Sequence, residues 1–199
     1  HIQKRKGVFD MEKARPVSLK EIRIRDNFWD KYRRLVREEI LKYQWCAMND
    51  QIEGAPKSHC IENFRIAAGE KQGEFYGAVF QDSDVAKWLE AVAYTLAEKP
   101  DKELKKLADS VIELIGRAQE PDGYFNTYFI LKEPGQRFRN LREGHELYTL
   151  GHMIEAAVAY KRATGEKRFL EIVQKIVIPI LPVYIAFTFC SLAYEGTIT

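Results

Sequence analysis

Between Phe75 and Glu90 the chain reads FYGAVFQDSDVAKWLE, an aromatic, glycine-containing loop that delivers an amide, Gln81, and two carboxylates, Asp82 and Asp84, to the start of a helix. Asp82, Ser83 and Asp84 are each candidate caps, because a short side-chain oxygen there accepts from first-turn N–H groups that lack a helical partner. A polar loop at a helix start, flanked by Phe75, Tyr76 and Phe80, suits a polar ligand. The same residues serve equally well as caps and packing aromatics alone. A second group is His145 and His152, two helical turns apart and so on one face. His145 opens a helix beside Glu146, after a long aromatic loop, and is a candidate ligand contact. His152, between Gly151 and Met153, reads as a buried histidine satisfied by a carbonyl or carboxylate. Glycosidase chemistry needs two catalytic groups facing each other across a bond. Sequence alone does not place Asp82, Asp84, Glu146 or Glu155 across a cleft.

Other chemistries lack their motifs. The chain has no phosphate-cradling glycine loop, no G-x-S-x-G and no H-E-x-x-H. Its three cysteines, Cys46, Cys60 and Cys190, form no C-x-x-C and are odd in number, which argues against a disulfide framework or zinc ribbon. This cysteine usage points to a reducing, cytoplasmic compartment. Cys46 and Cys60 with His59 match no common metal spacing, and no metal ligand is assigned. With 31 basic and 29 acidic residues the formal charge is +2, which gives no argument for a nucleic-acid or acidic partner. Residues 1–26 are charged throughout and lack the apolar core of a secretory signal. Position 1 is not Met, so the reading frame is expected to extend upstream.

The elements that must position these residues are helical. Residues 1–25 read as a lead-in, with Val17, Leu19, Ile22 and Ile24 forming a short strand or extended arm. A helix starts near Asp26 and carries an apolar stripe of Phe28, Trp29, Tyr32, Leu35, Val36, Ile40 and Tyr43. Residues 46–58 read as a loop, 61–68 as a short helix ending near Gly69, and 82–98 as a helix. Pro100-Asp101 breaks the chain and caps the next helix, which stops at the Glu120–Gly123 turn. Residues 124–144 read as a long irregular stretch of functional length. A closely packed inner helix begins about His145 and ends at Thr164-Gly165, and another follows from Phe169. Glu90–Tyr94 (EAVAY) and Glu155–Tyr160 (EAAVAY) resemble each other, which implies repeated helical hairpins that bury their faces on one another. Residues 176–194 are nearly all apolar. Their length could span a bilayer, but Pro179 and Pro182 weaken that reading, and truncation or a frameshift is expected instead of a membrane anchor.

Several blocks in order carry a resemblance: Tyr43-Gln44-Trp45, Met48-Asn49-Asp50, Lys57-Ser58-His59, Phe80–Val85 with Lys87–Glu90, Ala118-Gln119 with Asp122-Gly123-Tyr124, and His145–Tyr148 with Gly151-His152 and Glu155–Tyr160. Over about Val17 to Lys175 the chain resembles glycoside hydrolase family 127, the β-L-arabinofuranosidases. The resemblance implies an all-α fold, an incomplete (α/α)6 barrel of helical hairpins over residues 26–177, with 178–199 an aberrant tail. It implies retaining hydrolysis of terminal β-L-arabinofuranosyl residues, a carbohydrate partner and a homodimeric parent. It also implies a cysteine nucleophile in a zinc site of three cysteines and one glutamate, with a separate glutamate as acid/base. None of those catalytic residues maps onto this chain, so the 199 residues alone are expected to be inactive. His145 stands at the position of a family histidine that binds the sugar. Gln81 and Asp82, on the matched loop, are assigned to the same pocket by extension. The rival reading is a non-catalytic helical module that binds carbohydrate or protein.

Overall fold

The structure is a computed structural model and describes residues 17, 18 and 20–176. Among these residues it is all helical. The helices are α1 (Asn27–Leu35), α2 (Leu41–Met48), α3 (Cys60–Ala67), α4 (Asp82–Glu98), α5 (Lys102–Ala118), α6 (Thr127–Leu131) and α7 (Glu146–Thr164). A last helix, α8, covers 168–176 of the described residues. The calls on residues 1–16 and on the apolar tail from 177 lie outside the described residues. Among those described, no helix is long and apolar enough to cross a membrane.

Local chemistry accounts for the helix ends. Asp26 caps α1 by accepting from the Phe28 and Trp29 amides, and Asp101 caps α5 by accepting from Glu103 and Leu104. Gly165, at φ 87°, closes α7 in the left-handed conformation that glycine adopts without a Cβ penalty. α1 runs into α2 through a π-helical turn, Val36–Ile40, so one continuous rod spans 27–48. The loop expected from residue 46 therefore begins at Asn49. There Asp50, itself in left-handed conformation, turns its carboxylate onto the Ser58 and His59 amides and closes the loop. The irregular stretch at 124–144 is also more ordered than its sequence implies. Asn126 caps the short helix α6, and Pro134–Gln136 forms a 3-10 turn.

The core lies between α4 and α7. They pack side by side along most of their length, with Ala86, Ala93, Ala156 and Ala157 fully buried, so small side chains let the two backbones approach. Phe80 meets His145, Lys87 meets Tyr148 and Glu90 meets His152, so the helices run parallel with both N-termini at one end. Antiparallel α5 covers this pair with Val111, Ile112, Leu114 and Ile115, and Phe169, Ile172 and Val173 of α8 are buried in the same core. α2 joins through Trp88, whose Nε1 donates to the Leu41 carbonyl and whose ring lies 5.2 Å from Trp45. Most of the apolar stripe on the first helix does not face this core. Phe28, Trp29, Tyr32, Leu35, Ile40 and Tyr43 are exposed among the described residues, and only Val36 packs on the core.

Gly123 shows how tightly the α5–α7 connection is held. Its φ is +91°, and an added Cβ would stand 2.6 Å from the Lys175 carbonyl group. Gly123→Ala is expected to lower stability by about 2 kcal/mol through backbone strain and displacement of α8. Urea unfolding followed by circular dichroism measures this.

Candidate functional site

The parallel N-termini of α4 and α7 stand side by side and, through Lys87, adjoin a cavity that with them makes up the cleft of the site. Two buried carboxylates set its geometry, one beside each helix start. Asp82 is 2% exposed, and its oxygens accept from the Thr127 amide (2.7 Å) and hydroxyl (2.6 Å). Burial pushes its carboxyl up to about 7, against the hydrogen bonds from Thr127, which favour the ionised form. Glu146 accepts from the Tyr124 hydroxyl and from the Phe138 amide (2.7 Å). Burial raises the Glu146 carboxyl, and burial with the Glu146 contact raises the Tyr124 phenol. Arg137 lies over the Tyr124 ring at 4.1 Å and pairs with Glu120 and Asp122. Thus the 120–145 connection is strapped to both helix starts.

That arrangement decides what faces the cleft. His145 is held in left-handed conformation, φ 51°, immediately before α7. Its Nδ1 lies 2.7 Å from the Glu143 carbonyl, which only accepts, so a proton sits on Nδ1 and, in the neutral ring, Nε2 is the acceptor. The half-buried ring stands 5.3 Å from Phe80 and 5.9 Å from Tyr148, both of which are exposed. Lys87 reaches over the Tyr148 ring at 5.2 Å and donates to Ser83 Oγ. Beside this cluster, between α2 and α4, is a cavity of about 400 Å³ bordered by Gln44, Met48, Ser58, Asp84, Lys87 and Trp88.

The three residues assigned to the pocket therefore separate. His145 keeps a free acceptor at the mouth. Gln81 is engaged by protein at both ends of its amide: Oε1 accepts from the Ala78 amide, and Nε2 donates to Cys60 Sγ at 3.0 Å. Asp82 turns away from the cleft. It does not cap α4 either, and α4 starts without any side-chain cap. Phe80, Tyr148 and Lys87 were not assigned to the pocket. The i, i+3 spacing of His145 and Tyr148 on one helix was the signal for Tyr148.

Asp84 is the one carboxylate bordering the cavity, so these walls do not assemble a facing acid and base. Nor do the described residues fit a thiolate-rich metal site. Cys60 is buried, its sulfur is held by Gln81, and burial raises its thiol, which disfavours the thiolate a metal needs. The donors that do gather among the described residues, Glu90, His152 and Glu155, include no cysteine. What this wall can do is bind a neutral polar ligand through stacking faces, an imidazole acceptor and an ammonium donor.

Parallel helical hairpins with a polar, aromatic cleft at the N-terminal ends define part of an α/α barrel. The chain belongs to glycoside hydrolase family 127: the profile for "Beta-L-arabinofuranosidase, GH127 catalytic domain" matches residues 21–178. Over 171 residues it is 43% identical to a non-reducing end β-L-arabinofuranosidase of Bifidobacterium longum subsp. longum, covering 78% of this chain and 26% of that protein. It superposes on the crystal structure of a GH127 β-L-arabinofuranosidase from Geobacillus stearothermophilus T6 with a TM-score of 0.78 and 65% identity, covering 79% of this chain and 25% of that one. A second solved GH127 β-arabinofuranosidase gives a TM-score of 0.73 at 34% identity, covering 83% of this chain and 26% of that one. The chain thus spans about a quarter of the length of these relatives.

Proposed function

We propose that residues 26–177 are the N-terminal part of the catalytic barrel of a retaining glycoside hydrolase that removes terminal β-L-arabinofuranosyl residues, and that they supply one wall of its sugar pocket. The observation that carries this reading is His145, whose Nε2 is left as an acceptor beside the exposed rings of Phe80 and Tyr148. In this role Nε2 accepts from a sugar hydroxyl, the two rings cover the apolar face of the furanose, and Lys87 donates to a ring or hydroxyl oxygen. Buried Glu146 positions rather than reacts, because it keeps the Phe138–His145 turn closed. The nucleophile and the acid/base belong to parts of the parent outside these residues, and the 199-residue chain alone does not cleave. An odd number of cysteines with no C-x-x-C supports a reducing, cytoplasmic location for the parent.

Two assays test this. The purified chain should release no arabinose from a β-L-arabinofuranoside. In the parent enzyme, His145→Ala should cut kcat/KM at least ~100-fold, while exposed Lys102→Ala, at the start of α5 and so at the opposite end of α4 from the cleft, should leave it unchanged. Cleavage by the 199-residue chain, or full activity of the His145→Ala parent, would overturn the reading.

A further inference from the structure

Below the mouth, the same α4–α7 seam gathers a second set of polar groups. Glu90 projects from α4, and His152 and Glu155, at i and i+3, project from α7. One ligand atom of each lies within 4.8 Å of the other two. His152 does not make the hydrogen bond expected of a buried histidine. Its Nδ1 is enclosed but has no hydrogen-bond partner, and it lies 3.4 Å from Glu155 Oε2. That separation is close to the distance between two ligands on one tetrahedral zinc, about 3.4 Å for bonds of about 2 Å. Glu90 is oriented by the Tyr94 hydroxyl, which donates to its Oε1 at 2.9 Å, and the His152 ring is held edge-on by Tyr148 at 4.6 Å. Among the described residues, no lysine or arginine forms an ion pair with Glu90 or Glu155. Two carboxylates therefore converge on an imidazole whose Nδ1 makes no hydrogen bond and faces Glu155.

We propose that Glu90, His152 and Glu155 form a binding site for a borderline divalent cation of the Zn²⁺ or Co²⁺ type, bridging the two inner helices. One imidazole and two carboxylates suit such ions better than Cu⁺, which prefers sulfur, or Mg²⁺, which prefers all-oxygen shells. Solvent completes the coordination on the open side, where Glu155 is exposed. Sites of this kind are built in helical bundles from side chains on facing helices. Here the ligand cross-links the pair that carries His145 and Phe80, so its occupancy stiffens the cleft wall. The donor set has no thiolate, which separates it from a cysteine-bound zinc. The proposal stands whether or not the glycosidase reading holds.

Titration of the purified chain with Co²⁺ tests it. The expected result is one bound equivalent with d–d absorption and no thiolate charge-transfer band, displaced by Zn²⁺. His152→Ala and Glu90→Gln should each weaken binding at least ~10-fold. The unaltered protein supplies a second readout that does not depend on how a variant folds: Zn²⁺ should shift the imidazole ¹⁵N resonance of His152. Absence of binding, a thiolate band, undiminished affinity in folded His152→Ala, or an unmoved His152 resonance at saturating Zn²⁺ would each overturn the proposal.

Discussion

Trp88→Ala is expected to lower the unfolding free energy by about 4 kcal/mol. The indole is 2% exposed and is among the largest fully buried side chains. It spans from α4 to α2, with Nε1 donating to the Leu41 carbonyl at 3.0 Å and the ring against Trp45. Leu41 O lies within a helix and keeps a backbone partner, so the cost is mostly lost packing and the cavity left behind. Trp88→Phe, which keeps a ring but loses the donor, should cost about 1.5 kcal/mol. For a chain of this length 4 kcal/mol corresponds to a fall in Tm of roughly 12 °C. Calorimetry of the two variants separates packing from hydrogen bonding. A loss below about 1 kcal/mol in Trp88→Ala would mean that α2 is not held to α4 in this way. Because Trp88 also borders the cavity beside the cleft, the Ala variant should weaken ligand binding as well as stability.

What the sequence disclosed depended on how local the cause was. The bounds of α4 follow from an apolar period that starts at Val85 and a break at Pro100, and the N-cap of α5 is Asp101 acting two and three residues ahead. These causes lie within one turn of their effects. Asp82 has the composition of a cap, yet its hydrogen bonds go to Thr127, 45 residues away. No local rule distinguishes the two uses. Glu146 is similar, since its partners Tyr124 and Phe138 sit in a connection whose short helix was hidden by an aromatic run. The stripe from Phe28 to Tyr43 was legible as a face that favours burial. Periodicity reports that preference but not what meets it, and Phe28 is 58% exposed among the described residues. At the cleft, resemblance pointed to His145, whereas Phe80 and Tyr148 became partners only when parallel packing brought two helix starts together.

Asp82 yields a prediction whose sign differs from that of an ordinary paired carboxylate. Its folded value is raised to about 7 from 3.8, chiefly by burial, with the Asp84 charge adding slightly. A raised folded value means that the native state holds a proton the unfolded chain has released. The stabilisation is therefore fully present below about pH 4 and is lost as pH rises through about 7. A shift of that size corresponds to at most about 4 kcal/mol, and chain-wide titration of other acids will partly mask it. Asp82→Asn mimics the protonated form: its carbonyl can accept from the Thr127 amide and its NH2 can donate to the Thr127 hydroxyl. Relative to the wild type, Asp82→Asn should therefore be nearly neutral at pH 5 and stabilising at pH 8, flattening the pH dependence. Asp82→Ala leaves the buried Thr127 amide without a partner and should cost about 3 kcal/mol at pH 5. Urea midpoints at pH 5 and pH 8 for the three proteins decide the matter. If Asp82→Asn loses stability at pH 8, the carboxylate is ionised in the native state, and its charge, not only its shape, holds Thr127. The buried strap between α4 and the 120–145 connection would then work as a charge-assisted pair, and the cleft wall would loosen in acid instead of in alkali.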